Sequence, residues 1–376
     1  MIAEPRPAEP VRQPLARARL VQLASWVLFG ALPAIVVLLL FVSAIEDDAV
    51  AFDFRVFYDA AEAVLDGESP YQDPEDENAV VARGYVYPPL TALAVIPLTV
   101  LPVEVAGLLV MALLVGAALA IPYVLGVRDW RCYGLLLLWP PVISAVQTGT
   151  VTLLLALGAA LAWRYRDRTF VAAGVVGATL SLKLILWPLL VWQAATRRVL
   201  SAVAALAVGA LLALGSWAAI GFTGLREYPD VLRRLQDVVE LDSYTLYVVA
   251  LDAGASSTVA RGIWLVVGLA VLAAVVAVAR RGDERRAFVL AVAAALLLSP
   301  IVWLHYFALL AVVVALARSR LSLVWFVPLA MVITPGSGQP TPFETAATLA
   351  IAAATVGLSL WSIRTPEGGR AVVGEA

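Results

Sequence analysis

Polarity along this chain changes in long blocks. From 20 to 45 no side chain is ionised, and the run exceeds the ~20 residues that a helix needs to cross a bilayer. Further apolar segments follow at 88–102, 104–126, 131–146, 150–163, 169–196, 199–222, 261–279, 287–304, 305–317, 321–334 and 342–363. They predict an all-α, polytopic membrane bundle of about 10–12 spans, with no repeat of one half by the other. Two polar stretches break the series, at 46–87 and 224–260, and each carries a helical rhythm of its own. In the first, Val56, Phe57, Ala60, Ala61, Val64 and Leu65 alternate with Arg55, Asp59, Glu62 and Asp66. That pattern predicts an amphipathic helix over 55–66, ended by Gly67. In the second, Val231, Leu232, Leu235, Val238, Val239 and Leu241 recur between Arg233, Arg234, Gln236, Asp237 and Glu240, which predicts a helix on the membrane surface.

Composition agrees with the pattern, since 62% of the 376 residues are apolar and 14% charged, more apolar surface than a water-soluble domain can hide. Residues 1–19, with four arginines and four prolines, predict an irregular cytoplasmic tail before a retained signal anchor. The rest divides into one membrane domain over 20–363 and a second cytoplasmic tail over 364–376. Charge then orients the domain. Between 46 and 87 there are twelve acidic residues but only Arg55 and Arg83 as basic ones, while Arg197-Arg198, Arg280-Arg281 and Arg318/Arg320 cluster elsewhere. Arginine marks cytoplasmic loops, so 46–87 belongs outside, and by alternation so does 224–260. Counting every apolar segment as a full span puts Arg128, Arg131 and WRYRDR, 163–168, outside as well. Either some segments between 88 and 200 are re-entrant or the arginine bias fails there.

Three polar positions stand out. The chain holds one lysine, Lys183, and one histidine, His305, each interrupting apolar sequence. A cation at mid-bilayer costs about 2.5–3.5 kcal/mol on insertion scales, so an intramembrane lysine points to function unless it snorkels from a helix end. His305, between Trp303 and Tyr306, fits a structural or a catalytic role. Asp53 precedes the first amphipathic helix near the exit of the first span, where it is either the helix N-cap or a site residue. The single Cys132 reads as a small buried apolar side chain. No His/Cys ligand set predicts a metal, and the run Asp73-Pro74-Glu75-Asp76-Glu77 reads as a solvated loop tip. Phosphate loops and nucleic-acid-binding features are lacking too, so neither a cofactor nor a nucleic-acid partner is expected.

The ordered series Asp53, Phe57-Tyr58, Ala60-Ala61, Gly67, Pro70-Tyr71 and Tyr85-Val86-Tyr87-Pro88-Pro89 resembles glycosyltransferase family 87, a family of multispanning mannosyltransferases. Ser181-Leu182-Lys183 resembles the family's lysine-bearing span, and Ser299-Pro300-Ile301-Val302-Trp303-Leu304-His305-Tyr306 its Ser-Pro…Trp-x-His segment. Gln147-Thr148-Gly149 resembles the glycine/glutamine motif but departs from its usual order. The resemblance implies a GT-C-like bundle in a bacterial plasma membrane with the N-terminus cytoplasmic. It also implies a polyprenyl-phosphate sugar donor, an extracytoplasmic site and a key aspartate in the first outer loop, the place Asp53 occupies. Relatives include mannosyl and arabinofuranosyl transferases, and the acceptor is a glycolipid or glycan.

Such a transfer needs a base near the acceptor hydroxyl and cations or donors for the departing phosphate. Asp53 is the expected base in an inverting displacement, and His305 the second catalytic candidate. Lys183, Arg233 and Arg234 are candidates for the donor phosphate. Asp59, Tyr71, Tyr85, Tyr87, Gln147 and Trp303 are candidates for the sugar and acceptor groove, although interfacial tyrosines are commonly membrane anchors and Asp59 also reads as part of a solvated stripe. A transporter or flippase would show paired half-repeats and several ionisable groups at mid-bilayer, which this sequence lacks. A scaffold with a degenerate site fits the same sequence.

Overall fold

The computed structural model describes residues 13–46, 51–71, 84–334 and 339–363; the acidic run 73–77 and the tail 364–376 lie outside them. Helical backbone already begins at Gln13, so the end of the expected irregular tail is helix. In chain order the helices are α1 (Arg19–Glu46), α2 (Phe52–Leu65), α3 (Pro89–Leu98), α4 (Val103–Val124), α5 (Trp130–Leu137), α6 (Pro140–Thr148), α7 (Thr152–Arg164) and α8 (Thr169–Leu182). After them come α9 (Leu184–Ala195), α10 (Val199–Ala219), α11 (Tyr228–Val239), α12 (Leu246–Asp252), α13 (Ser257–Arg280), α14 (Glu284–Leu297), α15 (Leu304–Ala317), α16 (Leu323–Ile333) and α17 (Pro342–Ser362). No strand occurs among the described residues.

Five of these, α1, α4, α10, α13 and α17, are long and apolar enough to cross a bilayer alone, or six if the bent pair α6–α7 counts as one span. Of the expected 10–12 spans, five are thus single helices of full length and a sixth is this bent pair, while the remaining apolar helices among the described residues are shorter. Proline and glycine set the breaks. Trp139, extended at ψ 126 because a proline follows it, separates α5 from α6. Gly149, at φ +72, ends α6, and α7 leaves at a bend of 119°. Lys183, with extended backbone at φ −160 and ψ 127, separates α8 from α9. Such irregular backbone is tolerated at membrane depth only where protein or a cavity surrounds it.

Small residues let the interior close. A Cβ on Gly177 of α8 would sit 2.7 Å from the Ala205 carbonyl of α10, so only glycine allows this approach of the two backbones. Large side chains fill the remaining space with their polar tips bonded: the buried Trp139 Nε1 donates to the Trp325 carbonyl at 2.9 Å.

The bundle has two polar ends. At one, α2 packs under the chain near residue 100, where the Tyr58 hydroxyl donates to the Leu101 carbonyl at 2.8 Å. Segment 88–102, expected as a span, thus turns back at the end where it began, and α4 starts from there. At the other end, Arg198 bonds Asp167 and Glu284, and the Arg128 amide approaches the Ser319 carbonyl. Arg128, Arg131 and the 163–168 run consequently lie at the end opposite α2, which removes the conflict that counting every segment as a span creates.

Candidate active site

The site begins with the sharp entry into α2. Ala51 holds the N-cap position in the left-handed region at φ 59, and its amide donates to the Gln147 carbonyl at 2.7 Å. A Cβ on Gly149 would meet Phe54 Cβ at 2.8 Å, so a glycine after Gln147-Thr148 is what lets α2 seat against α6. The helix starts three residues earlier than the apolar rhythm predicts, and Asp53 falls in its first turn. The N-cap alternative for Asp53 is therefore overturned: the cap is Ala51, with no side-chain capping bond. The amide dipoles of the first turn favour a negative charge at Asp53. Burial pushes its carboxyl above the usual range, while the charge of Lys183 and the Thr150 hydroxyl pull it back.

Asp53 opens onto a cavity of about 760 Å³, within the range of ligand sites. Gln147, Trp303 and His305 line the same space, so four sequence candidates from three distant segments converge. His305 is buried against Trp303 and Tyr306, with ring centroids 5.8 and 4.8 Å away, and its Nε2 has no hydrogen-bond partner among the described residues. Buried polar atoms are nearly always bonded, so this one calls for a partner that the described residues do not supply. Thr148 of the Gln147-Thr148-Gly149 motif also lines the space, as do Asp242 and Ser144, which the sequence does not single out. Asp242 places a second carboxylate on the cavity from the polar stretch after α11. Its only sequence signal is membership of an outward loop, which many acidic residues share.

Other candidates stand behind the wall or away from it. Lys183 Nζ donates to the Tyr87 hydroxyl at 3.0 Å and lies 4.7 and 4.4 Å from the ring centroids of Tyr87 and Tyr306. It does not line the cavity. Tyr71 is a strut: its hydroxyl donates to the Tyr87 carbonyl at 2.9 Å and its ring stacks on Trp217. Tyr85 donates to the Pro88 carbonyl at 2.6 Å and accepts from the Ala92 amide, tying down the start of α3. Asp59 is exposed on α2 outside the cavity lining. Arg233 pairs with Asp230 on the exposed face of α11, and Arg234 likewise stays out of the lining. The Arg233 side chain is 75% exposed, so no burial holds it towards the site. Among the described residues no group of three or more His, Cys, Asp or Glu side chains could hold a metal ion.

Comparison with known proteins gives one positive finding. Residues 85–300 match the profile described as glycosyltransferase family 87, a stretch that includes Lys183, Gln147 and Asp242 and stops short of Asp53 and His305. No curated protein and no solved structure matches. With more than half of its length matched, the chain belongs to glycosyltransferase family 87.

Proposed function

We propose that this membrane glycosyltransferase moves a sugar, with mannose favoured, from a polyprenyl-phosphate donor to a lipid- or glycan-linked acceptor. The observation that carries the reading is one cavity lined by Asp53, His305 and the second carboxylate of Asp242. Asp53 accepts the acceptor's hydroxyl proton. The freed oxygen bonds to the anomeric carbon from the face opposite the phosphate. The bond from that carbon to the phosphate oxygen breaks, its electron pair leaves on the phosphate, and the centre inverts. His305, with its proton on Nε2, donates to the departing phosphate oxygens. Asp242 and Gln147 have the chemistry to hold sugar or acceptor hydroxyls, and Trp303 offers an apolar face.

In this reading the Asp53 end faces outward in a bacterial plasma membrane and the arginine-rich end faces the cytoplasm. Arg128, Arg131 and the WRYRDR run, gathered at the end away from α2, support that orientation. A cysteine placed at Asp76 tests it: labelling by an impermeant reagent from outside is expected, and labelling from the cytoplasm alone would overturn it. The transfer itself is tested by incubating membranes that contain the protein with radiolabelled polyprenyl-phosphate mannose or arabinose. Product from the mannose donor is expected, and absence of product from both would defeat the reading.

A further inference from the structure

We infer that Arg128 and Arg164 form a binding site for the phosphate of an anionic phospholipid, in a cavity at the arginine-rich end of the bundle.

The cavity lies between the last turns of α4 and α7. It encloses about 580 Å³, within the range of ligand sites, and its wall is made by residues 123–128 and 163–166. Three arginines, Arg128, Arg164 and Arg166, thus line one space, and no Asp or Glu lines it with them. A second cavity at this end brings Arg197 and Arg280 together, but there Glu284 is part of the wall.

One of the three is already engaged. Arg166 Nη1 donates to the Trp163 carbonyl at 3.0 Å, its guanidinium covers the Trp163 ring, and its Nε lies 3.4 Å from Glu284. Arg128 and Arg164 differ. Both are exposed, and among the described residues neither side chain makes a hydrogen bond, an ion pair or a ring contact, whereas Arg131, Arg198 and Arg286 each meet a carboxylate. Helix dipoles do not balance the two charges. The ends of α4 and α7 present about half a negative charge each, enough together for about one arginine of the two.

Depth in the bilayer identifies the anion. Tyr123, on the cavity wall, is 76% exposed, and at the same end the exposed Trp26 and Trp130 stack at 4.6 Å. Exposed tryptophan and tyrosine at one end of a membrane bundle mark the headgroup level. There the anion within reach of the arginines is a lipid phosphate, whose oxygens the guanidinium fork matches with paired N–H···O bonds. Basic pockets between membrane helices bind anionic headgroups in this way. A phosphatidylglycerol headgroup gains from both arginines, whereas the choline of phosphatidylcholine brings a cation of its own.

Native mass spectrometry tests the site. The purified full-length protein in detergent is titrated with dioleoyl phosphatidylglycerol or dioleoyl phosphatidylcholine, and the affinity for the first bound lipid is compared in wild type, Arg128→Gln, Arg164→Gln, the double variant and Arg281→Gln. Arg281 is an exposed arginine of the same end that does not line the cavity. Phosphatidylglycerol is expected to bind more tightly than phosphatidylcholine. Each single change in the cavity should weaken it about fivefold and the pair about 25-fold, with Arg281→Gln unchanged. Equal affinity of wild type for the two lipids, or unchanged binding in the double variant, would overturn the inference. An equal loss in Arg281→Gln would do so as well, by reducing the effect to general charge attraction. Should the double variant fail to fold, the two single variants decide. A thermal-unfolding arm separates the sources of phosphate: protection by phosphatidylglycerol, lost in the single variants, is expected, and equal protection by inorganic phosphate would assign the arginines to a free anion and overturn the lipid.

Discussion

The two polar ends of the bundle handle charge in opposite ways. At the arginine-rich end, Arg198 bonds Asp167 at 2.7 Å and Glu284 at 3.0 Å, while Arg166 reaches Glu284 at 3.4 Å and covers the Trp163 ring. Arg286 bonds Asp283 and donates to the Leu360 and Ile363 carbonyls, fastening the end of α17. Arg131 bonds Asp129, which also accepts from the Leu321 amide. At the other end, Asp53 makes no cap, His305 Nε2 is buried with no hydrogen-bond partner among the described residues, and the lysine is held by the hydroxyl of Tyr87 and the rings of Tyr87 and Tyr306. Charges at the arginine-rich end mostly meet opposite charges and carbonyls, although Arg318 Nε and Ser322 Oγ are buried there without a hydrogen-bond partner among the described residues. On the proposed reading, the polar groups left unmatched around Asp53 serve chemistry, at a cost in stability the rest of the fold must offset.

That contrast can be broken from either side. Asp53 itself apart, the largest effect is expected at His305: replacing it by alanine should lower transfer by about 100-fold, equivalent to about 2.7 kcal/mol, with thermal stability nearly unchanged. A comparable loss of folded protein would make His305 a packing residue instead. Arg198→Ala should do the reverse. It removes one partly buried cation shared by the partly buried Glu284 and the exposed Asp167, so about 1 kcal/mol of stability goes while turnover per folded molecule stays. Thermal unfolding in detergent with a matched activity assay checks both outcomes.

Gly149→Ala should fall between the two classes. Its positive φ and the 2.8 Å approach to Phe54 force the start of α2 away from α6, so about tenfold of activity is expected to go with a modest fall in melting temperature. The smallest effect concerns pH. The hydrogen bond from Arg131 holds the Asp129 carboxyl at about 2, against 3.8 for a free side chain. A depressed carboxyl contributes stability that is complete above the unfolded value and is lost as pH falls towards the folded one. Asp129→Asn should therefore lower the melting temperature by a few degrees at neutral pH and flatten its decline between about pH 4 and pH 2.

Much of the site was legible because rare residue types stood out. A lone lysine and a lone histidine in apolar sequence needed a reason; His305 shares the Asp53 cavity, and Lys183 is held by Tyr87 and Tyr306. The partners of Lys183 were not legible, since its bond to Tyr87 depends on a helix break and on a contact across more than ninety positions. Segment 88–102 has the composition of a span; the Tyr58 bond to Leu101, from a helix forty-three residues earlier, is what marks its return. Arg233 followed from an outward, basic helix, yet Asp230 three residues before it takes the charge on the solvent face. Asp242 was hidden among acidic neighbours of the same loop, and only the closure of the cavity distinguishes it.

The central claim is that the carboxylate in the first turn of α2 performs the chemistry. It is tested most directly by measuring sugar transfer from radiolabelled polyprenyl-phosphate mannose and arabinose in membranes carrying wild type or Asp53→Asn at equal expression. The account predicts a fall of at least about 100-fold in Asp53→Asn with the folded protein retained. Equal product from the two proteins would contradict it.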